Sequence, residues 1–277
     1  MPQKGKISKA PEGLYTAREA INRLHMPPAT FHNYVKEGKI KKITPIGRSE
    51  GYYEKVYIDR MAEAKELLAI QYASDSSTFS KATEEDMQGI YDVMVSLWGT
   101  LNVTAVETRI SWMQVNPDMD YVVKKEGIVV GYVTIKPYKN GIMNKIITGE
   151  MLAKDVKPSD ILPFTPGIPL ECLVGTAVRA GLYQPEKYGM RLIAGAIKVL
   201  KSLARKGIII AKLYANSETP DGIKLCHELG FKDITSESNK TPRRFLLDFN
   251  TSEEPLVREY KKILEEAKEK DNISLKR

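Results

Sequence analysis

Few residues in this chain of 277 combine a reactive side chain with a suggestive setting. Glu171 interrupts an apolar, strand-like run from Pro169 to Gly175, so its carboxylate could serve as a general base. Cys226 lies in a predicted helix, and a thiol with a reference pKa of about 8.5 can exchange a proton near neutrality. Tyr183, Tyr188 and Tyr214 offer further hydroxyl donors. Plain alternatives stand beside these roles: Glu171 as a solvated strand carboxylate, Cys226 as a small buried hydrophobe. A second chemistry is the binding of an anionic partner, for which Lys39, Lys41, Lys42 and Arg48 supply a basic stretch. The histidines His25, His32 and His227 are scattered without the spacing of a metal site. Neither a P-loop nor a Ser/His nucleophile motif occurs, and no metal is expected.

The elements that must carry these residues divide the chain. Its composition, 42% hydrophobic and 28% charged, excludes collagen-like, low-complexity and wholly disordered architectures. Two cysteines make no disulfide framework, and no apolar run is long enough for a membrane span; a soluble cytoplasmic protein without membrane contact is expected. Residues 1–60 hold twelve Lys/Arg against six Asp/Glu, so +6 of the net +7 sits in the first fifth of the chain. A small, polar, aperiodic stretch over 73–82 reads as a linker. It separates a first domain, 1–72, from a second, 83–250. Residues 251–277 form a C-terminal amphipathic helix with Leu256, Tyr260, Ile263, Leu264 and Ala267 on one stripe. That stripe could pair two copies or cover its own domain.

In the first domain, Thr16 and Glu19 make a capping box for a helix from Ala17 to about Leu24. Pro28 can open a second helix, running to Lys36 and ending at Gly38. Two strand segments follow around Gly47 and Gly51, a wing, and a third helix begins near Asp59. The order Tyr15-Thr16, Glu19-Ala20, Thr30-Phe31, Tyr34-Val35, Gly38, Ile40, Gly47-Arg48 and Asp59 resembles the MerR/excisionase-type winged helix-turn-helix. The resemblance covers about residues 13–70. It implies that the second helix enters the major groove of double-stranded DNA, presenting Thr30, His32, Asn33 and Lys36. Asn33 is the best base-edge reader, because an amide can pair with adenine through two hydrogen bonds. Lys39, Lys41, Lys42 and Arg48 would neutralise phosphates. Phe31 and Val35 are core positions.

The second domain reads as a helix from Thr83, a β-hairpin meeting at Glu126-Gly127, and a strand over 169–175. A long helix from Tyr188 to Lys206, a buried strand over 208–215, a helix capped by Thr219 and a closing strand near 244–249 complete it. Between the hairpin and the 169–175 strand a short helix is expected near 149–154. The fold class is α/β, with a mixed sheet. This order, with Val130-Gly131-Tyr132, Leu170-Glu171, Asn216 and Leu225 to Phe231, resembles the GNAT superfamily of acyl-CoA N-acyltransferases over about 83–250. The resemblance implies acetyl-CoA or another acyl-CoA bound by Leu173, Val174, Gln184, Tyr188, Gly189, Met190, Arg191 and Asn216. The physical basis is backbone N–H groups at a helix start aimed at phosphate oxygens. It also implies catalysis by Glu171, the base toward an acceptor amine, and by Cys226 or Tyr214, the acid toward the departing thiolate. Glu186 and Arg191 depart from the family's loop pattern, and Cys226 stands where a tyrosine is usual.

The leading functional expectation is a DNA-binding regulator, acting as a homodimer, whose GNAT-like domain binds acyl-CoA as signal or cosubstrate. The alternative is an active N-acetyltransferase brought to its substrate by the basic module. A third reading is an interaction protein without either activity.

Overall fold

The computed structural model describes residues 10–45, 51–72, 77–236 and 241–274. The chain forms two compact units, 1–74 and 75–277. In the first, strand β1 (Leu14–Thr16) leads into α1 (Ala17–Arg23), followed by α2 (Pro28–Lys36), β2 (Tyr52–Glu54) and α3 (Lys55–Tyr72). The capping box is formed, with Glu19 N–H donating to Thr16 Oγ1 at 3.3 Å and Thr16 N–H to Glu19 Oε2 at 2.8 Å. Gly38 takes the left-handed conformation (φ 74°) that ends the α2 segment. Ala20, Leu24, Phe31, Ile40, Tyr53, Ile58 and Ala62 form the core. Asp59 ties three elements together, accepting from Tyr15 Oη at 3.1 Å and from Arg23 Nε at 3.0 Å.

The wing differs from the expectation. Its second segment, β2, pairs antiparallel with β1, and among the described residues a single bridge, Ile43 to Tyr52, links it back to the first. At three residues β1 is too short for alternation to show in sequence.

The second unit is built on a seven-stranded mixed sheet. Its strands are β3 (Thr78–Lys81), β4 (Asp120–Lys125), β5 (Ile128–Tyr138), β6 (Pro169–Val178), β7 (Ile209–Ser217), β8 (Lys232–Asp233) and β9 (Arg243–Asp248). Their spatial order is β3-β4-β5-β6-β7-β9-β8, and β6-β7 is the parallel pair. The helices are α4 (Met87–Trp98), α5 (Val106–Val115), α6 (Ile142–Thr148), α7 (Pro185–Arg205), α8 (Pro220–Glu228) and α9 (Pro255–Ser274). Glu126 (φ 50°) and Gly127 (φ 78°) turn the β4-β5 hairpin, as a two-residue turn of matching twist requires.

Strand β3 occupies the second half of the stretch whose composition suggested a linker. Phe79 stacks on Tyr121 of β4, with ring centroids 5.6 Å apart, and Gly195 of α7 leaves room for its ring. Small polar residues therefore hid one anchoring aromatic. The short α-helix between β5 and β6 lies about two turns earlier than expected: it is α6, and Gly149 (φ 83°) is its C-terminal cap. Helix α5 carries Arg109 and Trp112 inward and has little amphipathic pattern, so periodicity did not show it.

Alternation gives the sheet two faces. On one, Leu170, Cys172, Leu213, Ala215, Phe245 and Leu247 pack with Val199, Leu200 and Leu203 of α7 and with α9. Val257, Tyr260 and Leu264 of α9 are buried there, so its apolar stripe covers its own unit rather than standing free for a second copy. Tyr260 Oη donates to Ile208 O at 2.5 Å and accepts from Ile210 N at 2.9 Å. On the other face, Tyr138, Leu173 and Tyr214 pack with Trp112 of α5 and with Met143 and Ile146 of α6.

Candidate functional site

The site begins with a break in the sheet. The β6-β7 register runs to Val174 opposite Ala215 and stops. Both strands continue: β6 stays bonded to β5 as far as Val178 opposite Gly131, and β7 to β9 as far as Ser217 opposite Arg243. The inner edges of residues 175–178 and 216–217 therefore diverge into a notch whose backbone groups are not used between the two strands. An extended chain bearing amides can enter such an edge by the hydrogen bonding that extends a sheet.

At the head of the notch the chain passes through residues 179–184 into α7. Arg179 N–H donates to Val130 O at 2.9 Å and Ala180 N–H to Ser96 Oγ at 3.1 Å. The next four N–H groups, of Gly181, Leu182, Tyr183 and Gln184, make no hydrogen bond among the described residues. Gly181 (φ 77°) and Gln184 (φ 52°) both adopt left-handed backbone, and Pro185 opens the helix at its first position. Consecutive free N–H groups before a 21-residue helix make a setting for an anion, reinforced by the helix dipole. Of the residues expected to bind the cofactor, only Gln184 lies in this run. Gly189, Met190 and Arg191 lie inside α7, where their N–H groups are spent on the helix itself, and Arg191 reaches instead to Ser77 O at 2.7 Å. Tyr188 is buried, whereas Tyr183 and Met190 are exposed.

Before the notch, on the face shared with Leu173, three side chains meet. Lys212 Nζ is 3.0 Å from Glu171 Oε1, each side chain being about one-third exposed. Tyr214, two residues along β7 from Lys212, lies on the same face. The hydrogen bond that Lys212 donates to Glu171 raises the Lys212 pKa, and burial, then the Glu171 charge, raise that of Tyr214. Tyr214 thus remains a protonated phenol at neutral pH. Lys212 was missed in sequence because only the β6-β7 register, Glu171 opposite Lys212, reveals it.

Cys226 is not part of this group. Its thiol packs with Phe231 and Phe245 in the cluster on the opposite face, and burial pushes its pKa up to about 11. Leu173 is buried, and Val174 and Asn216 flank the point where the strands part. In the first unit, His32, Asn33, Lys36, Lys39, Lys41 and Lys42 are exposed, Thr30 is half-buried, and Arg48 lies outside the described residues. Among the described residues no group of His, Cys, Asp and Glu could hold a metal, and no helix is long and apolar enough to cross a membrane.

No protein-family model matches the chain, and no curated protein matches it. Several solved structures are similar to it. The loading GNATL domain of CurA from Lyngbya majuscula is 14% identical, with 64% of this chain and 100% of that chain covered and a TM-score of 0.45. The protein yncA from Salmonella typhimurium, assigned as an acetyltransferase and solved with its cofactor acetyl-CoA, is 14% identical over 65% of this chain and 98% of its own, with a TM-score of 0.42. A ribosomal-protein-alanine N-acetyltransferase from Brucella melitensis is 16% identical over 61% and 96%, with a TM-score of 0.38.

Proposed function

We propose that residues 75–277 form an acyl-CoA-dependent N-acyltransferase. The observation that carries the reading is the notch between β6 and β7, with four unbonded N–H groups at its head. The coenzyme's diphosphate would lie at Gly181–Gln184, and its amide-bearing arm along the free edges of 175–178 and 216–217. The coenzyme supplies a thioester carbonyl, which an acceptor amine attacks, forming a C–N bond as the C–S bond breaks. Glu171 would take the proton lost by the amine, directly or through a water, and Tyr214 would return one to the sulfur. Lys212 holds the Glu171 carboxylate on the face it shares with Tyr214.

Acetyl-CoA binding measured by calorimetry, followed by thiol release over a panel of amines, tests this. Glu171→Gln should lower release by about 100- to 10,000-fold with acetyl-CoA affinity unchanged, the range of a lost general base. Undiminished release would remove Glu171 from the mechanism.

We infer for the first unit a supporting role as a duplex-DNA module, on the exposed polar side of α2 and the lysines beyond it. Lys41→Ala should weaken binding to all duplexes alike and reduce the log-log salt slope by about 1, whereas Asn33→Ala should relax preference at one base position. Equal losses for both would take base reading away from Asn33. A regulator that reads paired half-sites would bind as two copies, which light scattering with and without duplex would detect.

A further inference from the structure

Above α5's inward side, β5 carries a polar ladder. Tyr132, Thr134, Lys136 and Tyr138 alternate onto the face that packs α5, and all four are buried. Arg109 of α5 pairs with Asp120 of β4 at 3.2 Å and lies over the Tyr132 ring. Lys136 Nζ stands 4.4 Å from the centroid of the Trp112 ring and makes no hydrogen bond or ion pair among the described residues. Around it, four buried polar atoms have no hydrogen-bond partner among the described residues: Arg109 Nε, Thr134 Oγ1, Tyr138 Oη and Asp120 Oδ2. Such a half-satisfied cluster costs stability unless something completes it.

Charge restricts what completes it. Arg109 and Asp120 already cancel, so a protonated lysine would leave one net buried charge. Burial and the neighbouring Arg109 hold the Lys136 ammonium down to a pKa of about 7, and Asp120 opposes them only in part. An amide in place of the amine would carry no charge, offer a carbonyl oxygen to the donors of Arg109, Thr134 and Tyr138, and present an N–H to Asp120. Gly175 connects this ladder to the notch. It pairs with Thr134, sits where the β6 edge becomes free, and has no side chain to wall off the ladder.

We propose that Lys136 is an internal acyl acceptor, modified by the thioester held in the β6-β7 notch. This rests on the acyl-CoA reading of that notch. The Lys136 nitrogen attacks the thioester carbonyl, a C–N bond forms, the C–S bond breaks, and the proton released from nitrogen leaves on the thiol. The product is an N-acyl-lysine inside the fold.

The full chain is incubated with acetyl-CoA at pH 8, its intact mass followed, and the site located by peptide fragmentation. Calorimetry reports binding in parallel. One acetyl group per chain is expected, on Lys136. It should be acquired roughly 100-fold faster than on surface lysines, because an ordinary lysine with a pKa near 10.4 is scarcely neutral at that pH. Lys136→Met, close in shape and without a charge to bury, should bind acetyl-CoA equally and gain no acetyl group. Acetyl-CoA binding with Lys136 unmodified overturns the inference and leaves the notch reading intact. Absence of binding overturns both. Acetyl groups spread over exposed lysines, at the same rate in urea-unfolded chain, also overturn it.

Discussion

The two faces of the seven-stranded sheet are built by different rules. The α7-α9 face is lined by apolar side chains, and the buried hydroxyl of Tyr260 is satisfied twice by the backbone of 208–210. The α5-α6 face buries an arginine, an aspartate, a lysine and a threonine and leaves, among the described residues, three of their polar atoms and the Tyr138 hydroxyl unpaired. The difference between the faces is one of chemistry. The first face can only hold the sheet together. The second buries polar groups at a cost in stability, and Glu171, Lys212 and Tyr214 lie on it too.

The largest way to break this comparison is to remove one charge from the buried pair. Arg109→Ala should destabilise the 75–277 unit by about 3–5 kcal/mol, because Asp120 is left charged and dry. Urea unfolding followed by tryptophan fluorescence measures this, since both tryptophans, Trp98 and Trp112, lie in that unit. On the apolar face Phe245→Ala should cost a similar ~3–5 kcal/mol through its cavity. The distinguishing variant is the double replacement Arg109→Met with Asp120→Leu. It should recover much of the Arg109→Ala loss, since an apolar pair needs no partner. No cavity on the opposite face can be rescued by a second deletion. If the double variant is as unstable as the sum of its singles, the pair is structural and the contrast between the faces fails.

That contrast was only partly legible in the sequence. Strands β4 and β5 showed themselves by their apolar runs and by Glu126-Gly127, and α7 by its periodic Leu192, Ala196, Val199 and Leu203. The same apolar runs concealed the polar ladder. Tyr132, Thr134, Lys136 and Tyr138 keep a period of two along β5, which was the available signal. Glu171 and Tyr214 could be singled out as types, but their meeting with Lys212 depends on a parallel register that no local pattern encodes. The unbonded N–H groups of 181–184 precede Pro185 and carry no side-chain signal, so only Gln184 among them could be singled out for the cofactor from sequence. Lys136 and Asp120 were missed for the same reason as α5: buried polar residues blur the periodicity that announces an element.

A smaller effect sharpens the comparison through pH. Lys136 titrates near 7 when folded and, in an unfolded chain, near its ordinary 10.5. Between those values the unfolded chain holds the extra proton, so stability rises with pH from about 7 upward and the deficit is complete below 7. Lys136→Met should abolish that slope. Urea midpoints at pH 7 and pH 9.5 compare the two, staying below the range where the buried tyrosines begin to count. Parallel slopes in wild type and variant would place a paired, ordinary lysine at this position.

The smallest effect separates the two candidate acids, one on each face. Cys226→Ala should cost about 1 kcal/mol, the mean for a single substitution, and leave thiol release unaltered, because its thiol belongs to the cluster of Phe231 and Phe245. Tyr214→Phe removes one oxygen on the opposite face, with little change in packing, and should slow thiol release while acetyl-CoA still binds. Its pKa is raised by burial and by Glu171, so the proton it gives is present throughout the neutral range, and the rate lost should not return on raising the pH from 6 to 9. The reverse result, with Cys226→Ala inactive and Tyr214→Phe active, would move the chemistry across the sheet. The apolar face would then have to admit a thioester beside Phe245, where the present packing leaves only a small, dry thiol.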